Sequence, residues 1–302
     1  MASRHANQAQ WGPVATIGPT SFLRRHPRLR HTAIDLLAGM DELLHHPAAD
    51  LSRPRIQFLM AHRLPADEER GFRRHLEQLL SLGQRFVSYS EAVDRLLTGR
   101  IDAPYVAFSF DDGFESCRWA GVILREYGTS ACFFVCPSII GEPDALQRAR
   151  FIREQLNESG DRSFLSWRDL EALQVQNHEV GAHSLTHANL ATLPHHVLED
   201  EIGGCREALS RRVGTVRHFA WPFGHFSCIS REAVRVAFAA GYSSCASAER
   251  GCHVTPPADA RSLCIRRDQI MPEWPWRHVA FFLARNSREA DLSTNQLPAS
   301  VT

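Results

Sequence analysis

Residues 106–114 constrain the fold more than any other stretch of this sequence. Apolar and aromatic residues fill the stretch up to Phe110, two aspartates follow, and Gly113 allows a tight turn. We therefore predict a buried strand that ends in two adjacent carboxylates. Because unpaired buried carboxylates are costly, this pair indicates a functional site. An exposed Asp-Asp-Gly turn is the alternative interpretation of the stretch when it is considered alone.

Strand-like and helix-like segments alternate along the chain on both sides of this stretch. The predicted strands cover residues 55–61, 85–88, 105–110, 130–135, 179–182, 218–221, 242–245 and 263–266. This alternation implies a parallel sheet with right-handed crossovers, which is either doubly wound or closed into a barrel. Periodicity does not distinguish between those two architectures.

A second motif, residues 179–187, is a short apolar strand that leads into His183 and His187. If the segment coils into one helical turn, the two imidazoles lie on the same face and can bind one cation. One carboxylate and two imidazoles, with water completing the shell, form a catalytic type of divalent site. A spacing of four is weak evidence alone, because the chain has 16 histidines. Its combination with the Asp-Asp-Gly strand supports a metal site.

Three motifs resemble those of the NodB-homology polysaccharide deacetylases, the family 4 carbohydrate esterases. Residues 109–113 (Ser-Phe-Asp-Asp-Gly) and 183–187 (His-Ser-Leu-Thr-His) are similar to the first two motifs, and residues 220–224 (Ala-Trp-Pro-Phe-Gly) to a variant of the third. The resemblance covers about residues 52–285. It implies an α/β fold, a distorted (β/α)7-type barrel of parallel strands with the site at the strands' C-terminal ends. We expect a single such domain at 52–285. The flanking segments are an N-terminal extension at 1–51, with an amphipathic helix at 29–46, and a disordered tail at 286–302.

The resemblance also implies roles for the motif residues. Asp112, His183 and His187 would hold a divalent metal, with Zn²⁺ expected and Co²⁺ or Ni²⁺ as alternatives, and Asp111 would be the general base. Successive side chains on a strand point to opposite sides, which suits different tasks for the two aspartates. The backbone N–H of Phe223 would help the metal to hold the oxyanion.

Two residues typical of the family are missing. Ala220 stands where much of the family has an arginine that orients the base, and the late Leu-x-His motif, whose histidine protonates the leaving amine, is absent. Family branches with Phe-Ala-Tyr-Pro-Phe-Gly as third motif carry a late arginine instead. We therefore expect Arg266 to orient Asp111, with Arg267 as the alternate. A surface arginine paired with an acid is the other interpretation.

The general acid and the substrate surface are predicted less directly. His62, after the first strand, and His225, after the third motif, are candidates for the acid, and either can instead be a scaffold residue. Aromatic faces suit the C–H side of pyranose rings, although each aromatic residue can also be core. The residues assigned to substrate binding are His62, Trp167, Trp221 and Pro222. The long insertion at 136–163 is of a length that usually carries specificity or forms a lid.

Composition limits the class of protein. With 302 residues, 44% hydrophobic and 23% charged, the chain suits one large α/β domain or two small ones. Its formal net charge is zero and no long basic block occurs, so we expect no nucleic-acid partner. No run of about 20 apolar residues is present, and residues 1–20 lack a secretory signal pattern, so we expect no transmembrane helix and a cytoplasmic location.

The eight cysteines include no Cys-x-x-Cys pair. We expect mostly buried free thiols in a reducing compartment. A zinc site built from Cys245, Cys252 and Cys264 is the alternative, which their spacing disfavours.

Taken together, these patterns predict a metal-dependent hydrolase that removes N-acetyl groups from amino sugars of a glycan or its precursor. One alternative is a different amide substrate, such as a formamido sugar or a non-sugar amide. Another is an inactive barrel that keeps the metal and binds glycan. Asp111 argues against the inactive barrel, because only chemistry needs a base beside the metal. The two missing motif residues argue for it.

Overall fold

The computed structural model of the chain describes residues 27–141 and 144–301. In this part, nine strands form one sheet, and each strand pair is parallel. The strands are β1 (Arg55–Ala61), β2 (Arg85–Phe86), β3 (Pro104–Phe110), β4 (Ala131–Val135), β5 (Glu179–Ala182), β6 (His218–Ala220), β7 (Ser244–Ala246), β8 (Cys264–Ile265) and β9 (Arg267–Gln269).

Helices connect most of these strands, and several begin at side-chain caps that the sequence supplies. Ser88, Asp144, Ser166 and Ser230 each accept a hydrogen bond from a backbone N–H in the first turn of the helix that follows. The helices are α1 (Pro27–Leu44), α2 (Pro47–Leu51), α3 (Glu69–Ser81), α4 (Tyr89–Thr98), α5 (Cys117–Glu126), α6 (Ala145–Glu154), α7 (Trp167–Val175), α8 (His195–Leu198), α9 (Cys205–Val213), α10 (Arg231–Ala239) and α11 (Trp276–Glu289). A π-helical turn, Glu199–Gly204, joins α8 to α9.

The strand order shows how the sheet curves. The order is β8-β7-β6-β5-β4-β3-β1-β9, and β2 pairs with β3 outside this path. β8 and β9 therefore lie at opposite ends of the order, yet only Arg266 separates them in the chain. Two peptide units span at most about 7 Å, so the two edges must come together. The sheet is a nearly closed barrel, which confirms the predicted barrel architecture.

Alternation along the strands divides the core into two layers. Tyr105 and Ala107 on β3 belong to the cluster inside the barrel, whereas Val106 and Phe108 pack in the cluster between the barrel and its helices. Gly181 lets the ring of Phe134 fill the interior, because a Cβ at this glycine would lie 2.4 Å from that ring. At the C-terminal ends of the strands, inward positions contribute side chains to the candidate site.

The chain divides into two compact units, residues 1–45 and 46–302. Of the first unit, the structure describes helix α1 and His45, and residues 1–26 of the predicted extension lie outside the described residues. The predicted extension ended at residue 51, but helix α2 belongs to the second unit. The backbone oxygen of Asp50 accepts a 2.7 Å hydrogen bond from Ser287, and its carboxylate pairs with Arg288.

The predicted disordered tail is also corrected in part. Helix α11 continues to Glu289, and a 3₁₀ turn, Leu292–Asn295, follows. Asn295 is buried, and its side chain bonds His253 Nδ1 and the Thr255 backbone oxygen, the latter at 2.7 Å. Val301 is buried as well. A hydrogen bond between a buried histidine and a distant asparagine leaves no periodic pattern in the sequence.

Two expectations from composition concern the cysteines and membrane-spanning helices. All eight cysteines are free, as predicted, and each is buried except Cys228, which is half-buried. Among the residues that the structure describes, no helix is long and apolar enough to cross a membrane.

Candidate metal and catalytic site

The two aspartates sit at the C-terminal end of β3. Asp111 continues the strand, because its N–H donates to the Ala61 carbonyl at 3.1 Å. It also continues the inward series that includes Tyr105 and Ala107, so its side chain enters the barrel. Asp112 leaves the strand with a φ of 69°, in the left-handed region, and Gly113 follows at 74°. The turn therefore sends the two carboxylates in different directions.

Asp112 meets the two histidines of the second motif. Its Oδ1 lies 3.4 Å from His183 Nε2 and 3.3 Å from His187 Nε2. All three side chains are buried. Among the described residues, this is the one group of three or more His, Cys, Asp or Glu side chains close enough to share an ion. The alternative zinc site of Cys245, Cys252 and Cys264 is therefore not formed.

The donor set fits a divalent cation. Ligands that surround Zn²⁺ tetrahedrally at about 2.1 Å lie about 3.4 Å from one another, which matches the separations around Asp112. The other imidazole nitrogens are already used, because His183 Nδ1 lies 2.7 Å from the Ala220 oxygen and His187 Nδ1 3.1 Å from the Gln155 oxygen. A carbonyl only accepts, so each Nδ1 carries the hydrogen and each Nε2 presents a lone pair to a metal.

The charges at the triad also suit a cation. Burial alone would raise the pKa of Asp112, but the imidazoles of His183 and His187 outweigh it and hold the pKa well below its usual range. Burial would lower the pKa of His183, but Asp112 and Asp111 raise it above its usual value. A metal ion would therefore meet an ionised Asp112 carboxylate.

Asp111 is held by a buried arginine. Arg267 Nη1 and Nη2 donate to the two carboxylate oxygens, each at 2.7 Å, in a bidentate pair. The guanidinium also donates to the Ser247 oxygen at 2.6 Å and to Ser109 Oγ at 3.2 Å. Burial raises the pKa of Asp111, but the Arg267 charge outweighs it, so the pKa lies below its usual value. Each carboxylate oxygen keeps a second lone pair that can accept a proton.

The arginine beside Asp111 is thus Arg267, and the prediction of Arg266 is wrong. Arg267 pairs in register with Phe58, whose ring lies inside the barrel, so the arginine also points inward. Arg266 lies between β8 and β9, where its Nε donates to the Thr294 oxygen at 3.2 Å and its guanidinium covers the Phe226 ring. A shift of one residue on a strand reverses the side-chain direction.

The structure separates the two candidates for the general acid. His62 is half-buried, and its charge lowers the pKa of both Asp111 and Asp112, so it lies close to the site. Gln269 Nε2 lies 3.3 Å from His62 Nδ1 and orients the ring. His225 is exposed and pairs with Glu249 at 3.2 Å.

The third motif borders the triad through Phe223. This residue has a φ of 63° and is 40% exposed, and its ring centroid lies 4.8 Å from that of His187. Pro222 is buried. Gly224 is required here, since a Cβ would lie 2.2 Å from Ala248 Cβ. Its own N–H donates to the Trp221 oxygen, whereas the Phe223 N–H has no acceptor among the described residues.

Burial excludes one of the two tryptophans that were predicted to bind sugar. Trp221 is fully buried in the layer between barrel and helices, and its Nε1 donates to the His225 oxygen at 3.0 Å, so the ring has no face for a sugar. Trp167 begins α7 and is half-buried against Gly141 and the guanidinium of Arg212. Those contacts do not involve the triad.

Backbone strain concentrates at this site. Of six non-glycine residues with positive φ in the described ranges, four belong to it: Asp112, Ser184, His187 and Phe223. Such conformations cost about 1–3 kcal/mol each and persist only where the surroundings enforce them. The loop between the two histidines must therefore be fixed by other contacts.

Glu201 supplies those contacts. Its carboxylate accepts from Thr186 N at 3.0 Å and from Thr186 Oγ1 at 2.6 Å, and its backbone oxygen accepts from Leu185 N at 2.9 Å. Glu201 is buried within the π-helical turn Glu199–Gly204. A π turn rotates the residues that follow it relative to an α-helix, and such turns often occur at functional sites. No motif in the sequence marks this residue.

We expect Glu201→Ala to weaken metal binding about 10–100-fold, because partners that orient ligands have effects of that size. Competition with a chromogenic chelator measures the affinity for Zn²⁺ directly, independent of turnover. Asp200→Ala is the matched control, since Asp200 lies on the same turn but is exposed. Equal zinc affinity in both variants and the wild type would show that Glu201 does not position the histidines.

The insertion contacts the site as well. Gln155, just after α6, supplies the carbonyl that fixes His187, and the Phe151 ring lies 6.2 Å from that histidine. The insertion returns beside the aspartate turn, where Leu165 N donates to the Gly113 oxygen at 2.8 Å. Residues 142 and 143 lie outside the described part of the insertion. The insertion therefore contacts both His187 and the turn that follows Asp112.

Comparison with known proteins agrees with the motifs. Residues 98–244 match the family model described as polysaccharide deacetylase. Among solved structures, the fold is similar to IcaB from Ammonifex degensii (22% identity, TM-score 0.60, covering 77% of this chain and 98% of that one). It is similar to the deacetylase PplD from Streptococcus pyogenes (17%, 0.60, 76% and 98%) and to a polysaccharide deacetylase from Bacillus cereus (17%, 0.59, 77% and 69%).

No curated protein matches the sequence. The solved relatives are less than 25% identical to this chain, so their likeness concerns the fold. The family model rests on the sequence itself and spans the strand that carries Asp111 and Asp112 as well as both histidines of the triad. Residues 98–244, just under half of the chain, therefore match the polysaccharide deacetylase family.

Proposed function

We propose that this protein is a metal-dependent hydrolase that removes N-acetyl groups from amino sugars of a glycan or a glycan precursor. The observation that carries the proposal is that two neighbouring aspartates have different partners. Asp112 joins His183 and His187 in a set suited to a divalent ion, and the neighbouring Asp111 is ionised and held apart by Arg267. The family and the fold support the same chemistry.

A relative of the same fold supports the choice of acyl group. The Streptococcus pyogenes deacetylase was solved in complex with acetate. A divalent ion at the triad would supply an activated water and polarise the acyl carbonyl. Asp112, His183 and His187 are the residues that would hold this ion, with Zn²⁺ favoured by the nitrogen-rich donor set.

Asp111 is the group that would accept the proton from the attacking water. Its carboxylate is ionised because Arg267 keeps its pKa below the usual value, so no prior deprotonation is needed. The bidentate pair also fixes the orientation of the carboxylate, so that the free lone pairs have a defined direction. Arg267 thus acts as a positioning residue for the base.

The oxyanion and the leaving amine need donors. The Phe223 N–H, which has no acceptor among the described residues and lies beside His187, is suited to hold the developing oxyanion. At His62, the side-chain amide of Gln269 donates to Nδ1. The hydrogen of His62 is then on Nε2, which can donate a hydrogen bond to the leaving nitrogen, and the proton that Asp111 accepts from the water can pass to that nitrogen.

The test is a substrate panel. Zinc-loaded protein is incubated with N-acetylglucosamine oligomers of two to six units, with a formamido sugar and with a simple non-sugar acetamide, and acetate or formate is quantified. We expect acetate from the oligomers alone, because the polar site must orient a sugar as well as the acyl group. Formate release or cleavage of the acetamide would assign a different amide substrate. Binding of oligomers without any release would indicate an inactive barrel.

A further inference from the structure

A cavity of about 440 Å³ opens next to the aspartate turn. Three segments line it: the turn after β1, the turn that joins β3 to α5, and the end of the insertion. This volume lies within the range of small-molecule sites, about 300–1,000 Å³. The lining residues used below are Arg63, Phe114, Glu115, Trp119 and Arg162.

The cavity is continuous in the chain with the catalytic residues. Arg63 directly follows His62, and Phe114 lies two residues after Asp112. Two residues span at most about 7 Å, so a sugar held at the triad places its neighbouring groups within reach of the cavity. The insertion fixes this wall, because Glu115 N donates to the Ser163 oxygen at 3.0 Å.

Arg63 is the unusual member of the lining. Its guanidinium carbon lies 5.9 Å from the centre of the buried Phe114 ring. Among the described residues, its side chain makes no hydrogen bond or ion pair. A half-buried guanidinium offers five N–H donors in a planar fork that matches carboxylate and phosphate oxygens. It therefore presents a positive charge and donors to whatever enters the cavity.

The other charged lining residues do not cancel this charge. Arg162 also lies 5.8 Å from the Phe114 ring centre, but Glu158 already pairs with it. Glu115 borders the cavity and is exposed, so water screens its carboxylate. Trp119, on the first turn of α5, is 53% exposed and provides an aromatic face at the rim. An aromatic face beside polar groups suits the C–H side of a sugar ring.

We propose that this cavity binds an acidic group of the substrate, a carboxylate or a phosphate, on or next to the sugar that is deacetylated. Arg63 binds the oxygens of this acidic group, and the adjoining sugar ring stacks on Trp119. The substrate class is then an acidic amino-sugar compound, and neutral N-acetylglucosamine oligomers are poorer ligands. This inference rests on the proposed function of the neighbouring triad.

The test is calorimetric titration of the zinc-loaded protein with two matched pairs of probes. The first pair is the disaccharide of N-acetylglucosamine and N-acetylmuramic acid, which carries a carboxylate, and neutral di-N-acetylchitobiose. The second pair is N-acetylglucosamine 1-phosphate and N-acetylglucosamine. Hydrogen bonds to charged groups contribute about 1.5–3 kcal/mol, so the acidic member of at least one pair binds about 10–100-fold more tightly. The pair that shows the difference identifies carboxylate or phosphate as the ligand.

Arg63→Gln removes the charge and keeps much of the side-chain volume. We expect this variant to lose the preference for the acidic probe, while its affinity for the neutral probe changes less than about twofold. Arg235→Gln, at an exposed position on α10, is the control and keeps the preference. Trp119→Ala weakens acidic and neutral probes alike, by about 2–10-fold.

Equal affinities within both probe pairs would overturn the proposal, as would an acidic preference that Arg63→Gln leaves intact. The acidic subsite and the proposed hydrolysis are tested separately, because the titration measures binding and needs no turnover. Binding that depends on Arg63, without acetate release from any probe, keeps the acidic subsite and contradicts the proposed hydrolysis. Hydrolysis without such binding would support the proposed activity and contradict the acidic subsite.

Discussion

Asp111→Asn should lower turnover by about 10²–10⁴-fold while the metal content stays at the wild-type level. Asparagine keeps the shape of the side chain but offers no carboxylate to accept the proton of the attacking water. The triad of Asp112, His183 and His187 does not include this residue, so metal binding is preserved. Acetate release and metal analysis on the same preparation measure the two quantities together.

His187→Ala is the paired variant, because it removes a ligand and should lose metal and activity together. Near-normal turnover of Asp111→Asn at full metal occupancy would place the base elsewhere, and His62 would be the next residue to substitute. If wild type and Asp111→Asn are equally inactive on every amide yet bind glycan equally, the protein is a binding barrel. These three outcomes are distinguishable from one set of purified proteins.

Arg267→Leu should destabilise the protein by about 3–5 kcal/mol, because it leaves the Asp111 carboxylate buried without its partner. The pair is fully enclosed and bidentate, and the Asp111 charge raises the pKa of Arg267 despite its burial. Urea unfolding of the metal-free protein isolates this effect from metal binding. Turnover should fall as well, since the base loses the group that orients it.

Arg266→Leu is the matched control, one residue away and on the opposite side of the strand. It removes a hydrogen bond to the Thr294 oxygen, for which we expect about 1 kcal/mol. The double variant Asp111→Asn/Arg267→Leu should be less destabilised than the sum of its single variants, because the unpaired charge is gone. Equal stabilities of Arg266→Leu and Arg267→Leu would contradict the assigned role of Arg267.

The residues that could be predicted from the sequence are those fixed by short-range spacing. The strand–Asp–Asp–Gly pattern placed Asp111 and Asp112 at a strand end, and the spacing of His183 and His187 indicated a shared cation. The predicted helical turn between the two histidines is wrong, because Ser184 and His187 have positive φ and the segment is a non-helical loop. Hydrophobic periodicity also located most strands and helices. Such features depend on a few consecutive residues, so no knowledge of strand register is needed.

The failures have a common physical cause, which is register between distant segments. Arg266 and Arg267 differ only in side-chain direction, and that direction is set by pairing of β9 with β1, a strand near the other end of the chain. The short strand β9 carries too few residues to show alternation. The pairing of β9 with β1, and not the sequence alone, therefore decides which of the two adjacent arginines faces Asp111.

Contacts made through backbone atoms were equally hidden. The Gln155 backbone carbonyl fixes His187, and any residue type has such a carbonyl. The Glu201 carboxylate accepts from the Thr186 backbone N–H, a donor that every residue except proline has. Neither contact therefore leaves a sequence pattern. Trp221 looked suitable for sugar stacking because aromatic residues suit both cores and sugar faces, and only its complete burial decides between them.

The most direct test of the central claim is metal reconstitution followed by an acetate assay. Protein is stripped with a chelator, its zinc content is verified, and acetate release from the best panel substrate is measured during stepwise addition of Zn²⁺. We predict negligible activity in the stripped protein and full recovery at one zinc per chain, with no recovery in His187→Ala. Undiminished acetate release from verified metal-free protein would contradict a metal-dependent deacetylase at this site.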